Sequence, residues 1–321
     1  MNSVKPLILN AEPKEYSEKA RNILLSFADL HERYVTRSEL ISCIHNYEAL
    51  IVRLDHLIDA NVLEGAYRLK AIATATTGLN HICLREAKKR NIAVISLKGE
   101  RAFLDTIYAT AEHTFGLLLA LIRKIPSAVN HVNDGKWNRD KFKGIELANR
   151  SLGIIGFGRL GSKVARYGFA FGMKVLAYDP VVTSGPREVE FLTFEDVLSQ
   201  ADILTLHVSY ETETRNLIGS REFKMMKIGS YLVNTSRGEL IDESALLDAL
   251  NNGTIAGAAL DVLWGEFGDN PEWTKNSPVV KYSIEHENLI ITPHIGGATK
   301  DSMEKTEIFI ANKLKKFFAE K

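Results

Sequence analysis

Three polar residues in the second half of this sequence stand where chemistry can be done. Arg237 follows the apolar run 231–234, Glu266 follows Leu260-Asp261-Val262, and His294 follows Ile290-Ile291-Thr292-Pro293. If those runs are strands of an open parallel sheet, all three residues lie beyond carboxyl ends, where such sheets bind ligands. An arginine can grip a carboxylate through two parallel hydrogen bonds. A histidine is the side chain best matched to moving a proton near neutral pH. A glutamate beside it would orient the imidazole and stabilise its protonated form. With a nicotinamide nearby, this set suits hydride transfer to or from the carbon next to a carboxylate.

The segment 150–180, RSLGIIGFGRLGSKVARYGFAFGMKVLAYDP, must supply that nicotinamide. It has the pattern strand, glycine turn, helix, strand. Gly156 permits the tight turn, Gly158 lets a pyrophosphate approach the backbone, and Gly161 lets the helix pack on the strand. The helix N-terminus then presents free N–H groups to phosphates. Asp179 closes the second strand, 18 residues after Gly161. Its carboxylate would accept the adenosine ribose hydroxyls and repel a 2′-phosphate, so NAD is expected rather than NADP. A glycine-rich turn that binds nothing, or an S-adenosylmethionine site, are the competing readings of this stretch alone.

Around this centre the chain alternates strand and helix, which predicts an α/β protein with parallel sheets covered on both faces. Its 321 residues suffice for two domains. In the first hundred residues strands are expected at 6–9, 49–52, 69–75 and 92–95, and helices at 16–30 and 84–90. A long helix is expected over 103–124, then a polar loop at 133–139 anchored by Trp137. Strands at 202–208, 230–234, 255–262 and 289–292 follow the glycine turn. Asp242 should cap a helix that stops at Gly253, and a closing helix should run over 299–318.

The bulk properties exclude several classes. Forty basic and forty acidic residues cancel, so no global field gathers nucleic acid or an anionic membrane. The apolar run 115–122 is too short to span a bilayer, and the first residues lack a secretory pattern. Cys43 and Cys83 belong to no metal or redox motif, so two reduced thiols, no metal and a cytoplasmic place are expected.

The motifs then combine. ATAEHTFGLLLALIRKIP (109–126), DGKWNRDKFKGIEL (134–147), GFGRLG, ADILTLHVSYETETRNLI (201–218), VNTSRGELIDESALLDAL (233–250), AGAALDVL (256–263) and TPHIGGAT (292–299) all occur. From about 110 to 299 the chain resembles the D-2-hydroxyacid dehydrogenase family, most nearly its phosphoglycerate dehydrogenase and hydroxypyruvate/glyoxylate reductase branches. The resemblance implies two Rossmann-like or flavodoxin-like domains, with the cofactor domain (101–294) inserted into the substrate domain (1–100 plus 295–321). It implies that Arg237, Glu266 and His294 are catalytic. NAD contacts would come from Gly156, Gly158, Arg159, Leu160, Gly161, Asp179, Val208, Thr214, Ser236, Asp261, His294 and Gly297, with Asp261 meeting the nicotinamide amide. The substrate, a small 2-hydroxy or 2-keto acid, would be held by Thr77, Gly78, Arg237 and Arg53. A homodimer through the cofactor domain is implied, with the long helix and the arm at 134–142 in its interface. A non-catalytic, NAD-sensing corepressor is the alternative of another class.

The first hundred residues depart from the family more. Thr74 stands where phosphoglycerate dehydrogenases carry a substrate-binding arginine, whereas Arg53 matches another arginine of that branch. Lys98 is a candidate replacement. Phe267 replaces a usual proline after Glu266, and 270–286 has the look of an insertion, from which Trp273, together with Trp264, would either pack a loop or narrow the pocket. His113, His131, His207 and His286 are expected to be packing or surface groups, and Glu112 to support helix packing or the dimer. No small regulatory domain is expected after residue 321.

Overall fold

Short apolar runs flanked by turns set the strands, and the computed structural model describes them within residues 5–267 and 272–320. Among these residues the chain parts into two compact units. One takes in the chain up to Thr106, with Phe267 and the stretch from Ala298. The other comprises Ile107–Glu266 and Glu272–Gly297.

The smaller unit has five strands: β1 (Leu7–Asn10), β2 (Asp29–Glu32), β3 (Ala49–Val52), β4 (Ala71–Thr74) and β5 (Ala93–Ile95). They pair in parallel in the order β2-β1-β3-β4-β5. β3 and β4 are buried at every position, as unbroken apolar strands inside a two-faced parallel sheet must be. The closing helix Lys300–Ala319, capped by Thr299, buries Ile310 and Leu314 against Leu24, Ile51 and Ala73. The helix expected over 16–30 is shorter. It spans Glu18–Leu25 and is capped by Ser17, after which the chain extends into β2 at Asp29. β2 is an edge strand of sequence DLHE with no buried residue, so it carries no apolar run to reveal it.

The larger unit has seven strands: β6 (Ser151–Ile155), β7 (Lys174–Tyr178), β8 (Val189–Phe191), β9 (Ile203–Leu206), β10 (Ser230–Asn234), β11 (Ile255–Leu260) and β12 (Leu289–Ile291). The order is β12-β11-β10-β9-β6-β7-β8, all parallel. Two apolar cores form, one built around Leu204, Leu232 and Leu246, the other around Leu118, Ile154 and Val164. The strand order reverses between β6 and β9. This switch point is where a doubly wound sheet leaves a crevice for a ligand.

The single long helix expected at 103–124 is three helices: Arg101–Leu104, Ala109–Ile122 and Ile125–Asn133. The first break coincides with the passage between units at Thr106 and Ile107. At the second, Lys124 takes a left-handed conformation with φ 53°, and Pro126 sits in the next helix's first turn, where its missing N–H is harmless. Trp137 does not anchor the following loop on its own chain: it is 88% exposed. The helix beginning at Glu243 behaves as expected. Asp242 accepts from the Ala245 N–H, and Gly253 supplies φ 76° beyond its end.

Candidate active site

The glycine turn joins β6 to the helix Arg159–Ala170. Gly156 has φ 94°, and a Cβ there would lie 2.7 Å from the His207 carbonyl, so the turn presses directly on the end of β9. A Cβ on Gly161 would lie 2.1 Å from the Gly156 carbonyl oxygen. Gly158 is the opposite case: its Cβ direction meets nothing within 4 Å. Two glycines thus let the backbone close on itself, and the third leaves open space before a helix N-terminus, an arrangement that fits a pyrophosphate. Asp179, after β7, ties this turn down by accepting the Phe157 N–H at 2.8 Å. Its other oxygen accepts the Val181 and Val182 N–H groups at 2.8 and 2.9 Å. Acceptor capacity remains on this carboxylate for ribose hydroxyls.

His207, just past β9, donates or accepts at Nε2 with Thr205 Oγ1 at 3.0 Å, and burial pulls its pKa down to about 3. It is a neutral packing group at physiological pH. Next to it, Val208 faces Gly156. The Thr214 hydroxyl donates within its own turn to the Ser209 and Glu211 carbonyls. Leu160 packs on the core, and Arg159 Nη1 reaches the Ile107 carbonyl at 3.5 Å.

Beyond β10 the turn Asn234–Arg237 is laced by its own side chains. Asn234 accepts the Ser236 N–H and donates to the Arg237 carbonyl, while the Ser236 hydroxyl donates to Leu206 in β9. This fixes the point from which Arg237 projects. Burial lowers the Arg237 pKa, and Glu266 and Glu239 oppose that shift; a guanidinium stays charged regardless. Gly238 explains how the arginine and glutamate loops meet. A Cβ there would fall 2.2 Å from the Leu263 carbonyl carbon, so only glycine allows this approach. Glu243 braces the same loop by accepting the Trp264 N–H at 2.8 Å, and Arg215 stacks over the Trp264 ring at 4.6 Å.

Glu266 and His294 form the pair expected from their types: Nδ1 of the imidazole lies 3.0 Å from Glu266 Oε1. With Nδ1 donating to the carboxylate, Nε2 is the nitrogen that can exchange a proton with a substrate. His294 also has φ 52°, a left-handed conformation uncommon for a residue with a side chain. The contacts that hold it there are visible. The His294 N–H donates to the Asp261 carbonyl at 2.8 Å. Asp261 then collects the rest of the loop through its carboxylate, accepting from Thr292 Oγ1 at 2.6 Å, Ile295 N at 2.9 Å and Gly296 N at 2.7 Å. His113 Nε2, on the helix Ala109–Ile122, stands 3.2 Å from the same carboxylate. Burial alone would raise the Asp261 pKa; these hydrogen bonds overcome it and hold the carboxyl below its usual range. His113 is thus part of the support for the His294 loop. Its sequence context is a helix face more than a hundred residues upstream of Asp261, and only the fold brings the two together. Gly297 closes the loop with open space at its Cβ direction.

In the smaller unit, Thr77 and Gly78 lie in the turn after β4. The Thr76 hydroxyl donates to the Gly78 carbonyl at 2.8 Å, and Thr74 contacts Thr76 and His81. Arg53 follows β3 and is engaged inside its own unit, with Nη2 on Glu307 and Nη1 on the Lys14 carbonyl. Of the expected insertion, residues 270 and 271 lie outside the described residues. The remainder forms the helices Trp273–Asn276 and Pro278–Glu285, and Trp273 packs against the core. Among the described residues no cluster of three or more histidine, cysteine or acidic side chains is placed to hold a metal, and no helix is long and apolar enough to cross a membrane.

A glycine turn at the switch point of a seven-stranded parallel sheet, with an acid at the end of the next strand, defines a dinucleotide-binding domain. Residues 115–296 match the D-isomer specific 2-hydroxyacid dehydrogenase, NAD binding domain. The chain belongs to the D-isomer specific 2-hydroxyacid dehydrogenase family, and NAD is its cofactor. It is 39% identical over 280 residues to a D-3-phosphoglycerate dehydrogenase of Archaeoglobus fulgidus, covering 86% of this chain and 50% of that protein. It is 32% identical over 299 residues to a hydroxypyruvate reductase of Thermotoga maritima, covering 92% and 94% of the two chains. The chain spans about half the length of the D-3-phosphoglycerate dehydrogenases it matches. Among solved structures, the D-lactate dehydrogenase from Aquifex aeolicus complexed with NAD and lactic acid superposes with a TM-score of 0.81 at 30% identity, covering 98% of this chain and 95% of that one.

Proposed function

We propose that this protein is an NAD-dependent dehydrogenase that transfers a hydride between the nicotinamide and C2 of a small D-2-hydroxy acid or 2-keto acid. The observation that carries the reading is the hydrogen bond between His294 Nδ1 and Glu266 Oε1, on loops that reach Arg237 through the close approach at Gly238. NAD, when bound, supplies or receives the hydride. The remaining work falls to the chain. Arg237 binds the carboxylate and the carbonyl oxygen. His294 delivers a proton from Nε2 to the carbonyl oxygen in reduction, or takes the hydroxyl proton in oxidation. Glu266 holds the imidazole and stabilises its charged form. Asp261, Thr292 and His113 keep the loop in place.

Replacing His294 by alanine is expected to lower turnover at least about a hundredfold, the scale of general acid–base catalysis, with NADH affinity kept. Undiminished turnover would remove His294 from this role.

The protein acts, in this reading, as a homodimer in the cytoplasm. Support for the dimer comes from the helix Ile125–Asn133, which buries none of its residues. Ile125, Val129 and Val132 share one exposed side of it, and Trp137 stands exposed just beyond. An apolar stripe of this kind marks an interaction surface.

A further inference from the structure

Within the larger unit, three segments that follow neighbouring strands are laced to one another: 209–218 after β9, 237–241 after β10 and 263–266 after β11. The first two are joined by their backbones. The Asn216 N–H donates to the Glu239 carbonyl at 2.9 Å and the Ile218 N–H to the Leu240 carbonyl at 3.0 Å, and Ile218 bridges Ile241 in parallel. The second and third meet at Gly238, where a Cβ would lie 2.2 Å from the Leu263 carbonyl carbon and 2.5 Å from the Trp264 nitrogen. The third side of this triangle is a contact between side chains: the Arg215 guanidinium lies over the Trp264 ring, 4.6 Å from its centroid.

Trp264 is the last anchor before Glu266. Its N–H donates to Glu243 Oε1 at 2.8 Å, which fixes its backbone. Its side chain is 37% exposed and joins neither apolar core of the unit, so the core does not hold the ring. The next residue, Gly265, has φ 80° and open space in its Cβ direction. A glycine there is a pivot, free to turn where another residue would be restrained. Glu266 follows it directly, with Oε1 3.0 Å from His294 Nδ1. The guanidinium over the indole is therefore what steadies the side chain in front of the pivot, and tryptophan offers a cation the best of the aromatic faces. Arg215 is itself well placed to do so. Before it the Thr214 hydroxyl closes the turn onto the Ser209 and Glu211 carbonyls, and after it Asn216 takes a left-handed conformation with φ 51°.

We propose that Arg215 and Trp264 form a latch that positions Glu266 against His294, and so ties the loop carrying Thr214 to the acid–base pair. This rests on the dehydrogenase reading above and deepens it. Neither residue touches the reacting atoms. Both are positioning residues, and they act through the Glu266 carboxylate. Opening the latch leaves the Glu243 and Gly238 contacts in place but lets the chain swing at Gly265, so that the carboxylate spends less time on Nδ1.

The test measures kcat and KM for NADH-dependent reduction of the best of hydroxypyruvate, glyoxylate and pyruvate, together with NADH affinity by fluorescence and the melting temperature. Arg215→Met should lower kcat about twofold to fivefold, the scale of one exposed cation–π contact. Trp264→Leu should lower it at least as much, and Trp264→Phe, which keeps a ring face, should restore most of the rate. NADH affinity should hold in all three. In a Glu266→Ala background Trp264→Leu should cause no further loss, because a latch acting through Glu266 then has nothing to position. An unchanged kcat in Arg215→Met and Trp264→Leu overturns the inference. So does a loss that adds fully to that of Glu266→Ala, or one matched by weaker NADH binding or a lowered melting temperature, since either makes the contact a general support of the fold. Should Trp264→Leu not fold, Arg215→Met, a change to an exposed side chain, decides in the same background. A wild-type protein that binds NADH but reduces none of these acids fails the dehydrogenase reading itself, and the inference with it.

Discussion

Removing the carboxylate behind His294 tests the acid–base assignment most directly. Glu266 Oε1 stands 3.0 Å from Nδ1 of the imidazole. With Glu266 a carboxylate that hydrogen bond is charge-assisted, and it becomes an ion pair when His294 takes a proton at Nε2; such bonds contribute about 1.5–3 kcal/mol against about 0.5–1.5 for neutral ones. Glu266→Gln keeps an acceptor but loses the charge, a deficit of about 1–1.5 kcal/mol, or roughly tenfold in kcat. Glu266→Ala loses the whole contact, about 1.5–3 kcal/mol, or roughly tenfold to a hundredfold. NADH affinity should hold in both variants, because the His294 loop is fixed independently by the Asp261 carbonyl and carboxylate. Steady-state kinetics with the best 2-keto acid, paired with NADH titration by fluorescence, read the two quantities separately. Full kcat in Glu266→Ala would refute the reasoning. So would an equal loss in NADH binding, which would make Glu266 a support for the fold rather than for the imidazole.

Three further outcomes are expected. Asp179→Ala should relax the preference for NAD over NADP, since the carboxylate proposed to exclude a 2′-phosphate is gone; an unchanged ratio of kcat/KM for the two cofactors would count against that role. Gly238→Ala should destabilise the larger unit by about 2 kcal/mol or more, because its Cβ would overlap Leu263, and thermal melting would expose a tolerant site by an unshifted midpoint. Glu12 should make the protein less stable as pH rises. Burial, with Asp55 beside it, pushes its pKa up to about 7 from 4.5, so the folded state binds the proton more tightly. The stabilisation is complete below pH 4.5 and is lost as pH passes through about 7, on the order of 3 kcal/mol in all. Glu12→Gln should flatten that slope and raise the melting temperature at pH 8 relative to wild type; parallel melting curves across pH would argue that Glu12 titrates normally.

What was legible in the sequence follows physical lines. The glycine turn was readable because three glycines at fixed spacing sit between a strand and a helix with an acid ending the next strand, a context that favours a dinucleotide over the competing readings. Asp242 and Gly253 were readable because caps are local chemistry. Strands β3 and β4 showed as unbroken apolar runs because both faces of the sheet are covered. Local signals failed where the fold supplies the reason. β2 is a polar edge strand held by β1 rather than by its own pattern. The helix expected at 103–124 breaks between Leu104 and Ala109 and again at Lys124, and no apolar periodicity reports a left-handed residue. The pairing of Arg53 with Glu307 was not legible, because the two lie 254 residues apart in sequence. His113 is the structural group expected, but its partner Asp261, far downstream, was not legible either.

The two sheets show how one topological rule can yield opposite chemistry. Each reverses its strand order once, between β6 and β9 in the larger sheet and between β1 and β3 in the smaller. At the first reversal glycines clear the crevice, and a helix N-terminus faces the open space at Gly158, which favours an anion. At the second, Glu12 fills the crevice and Glu307 pairs with Arg53. The fold therefore decides where ligands can bind in each unit, while the size and charge of a few residues past the strand ends decide which ligands. Cofactor choice in this protein should accordingly move with substitutions at Asp179.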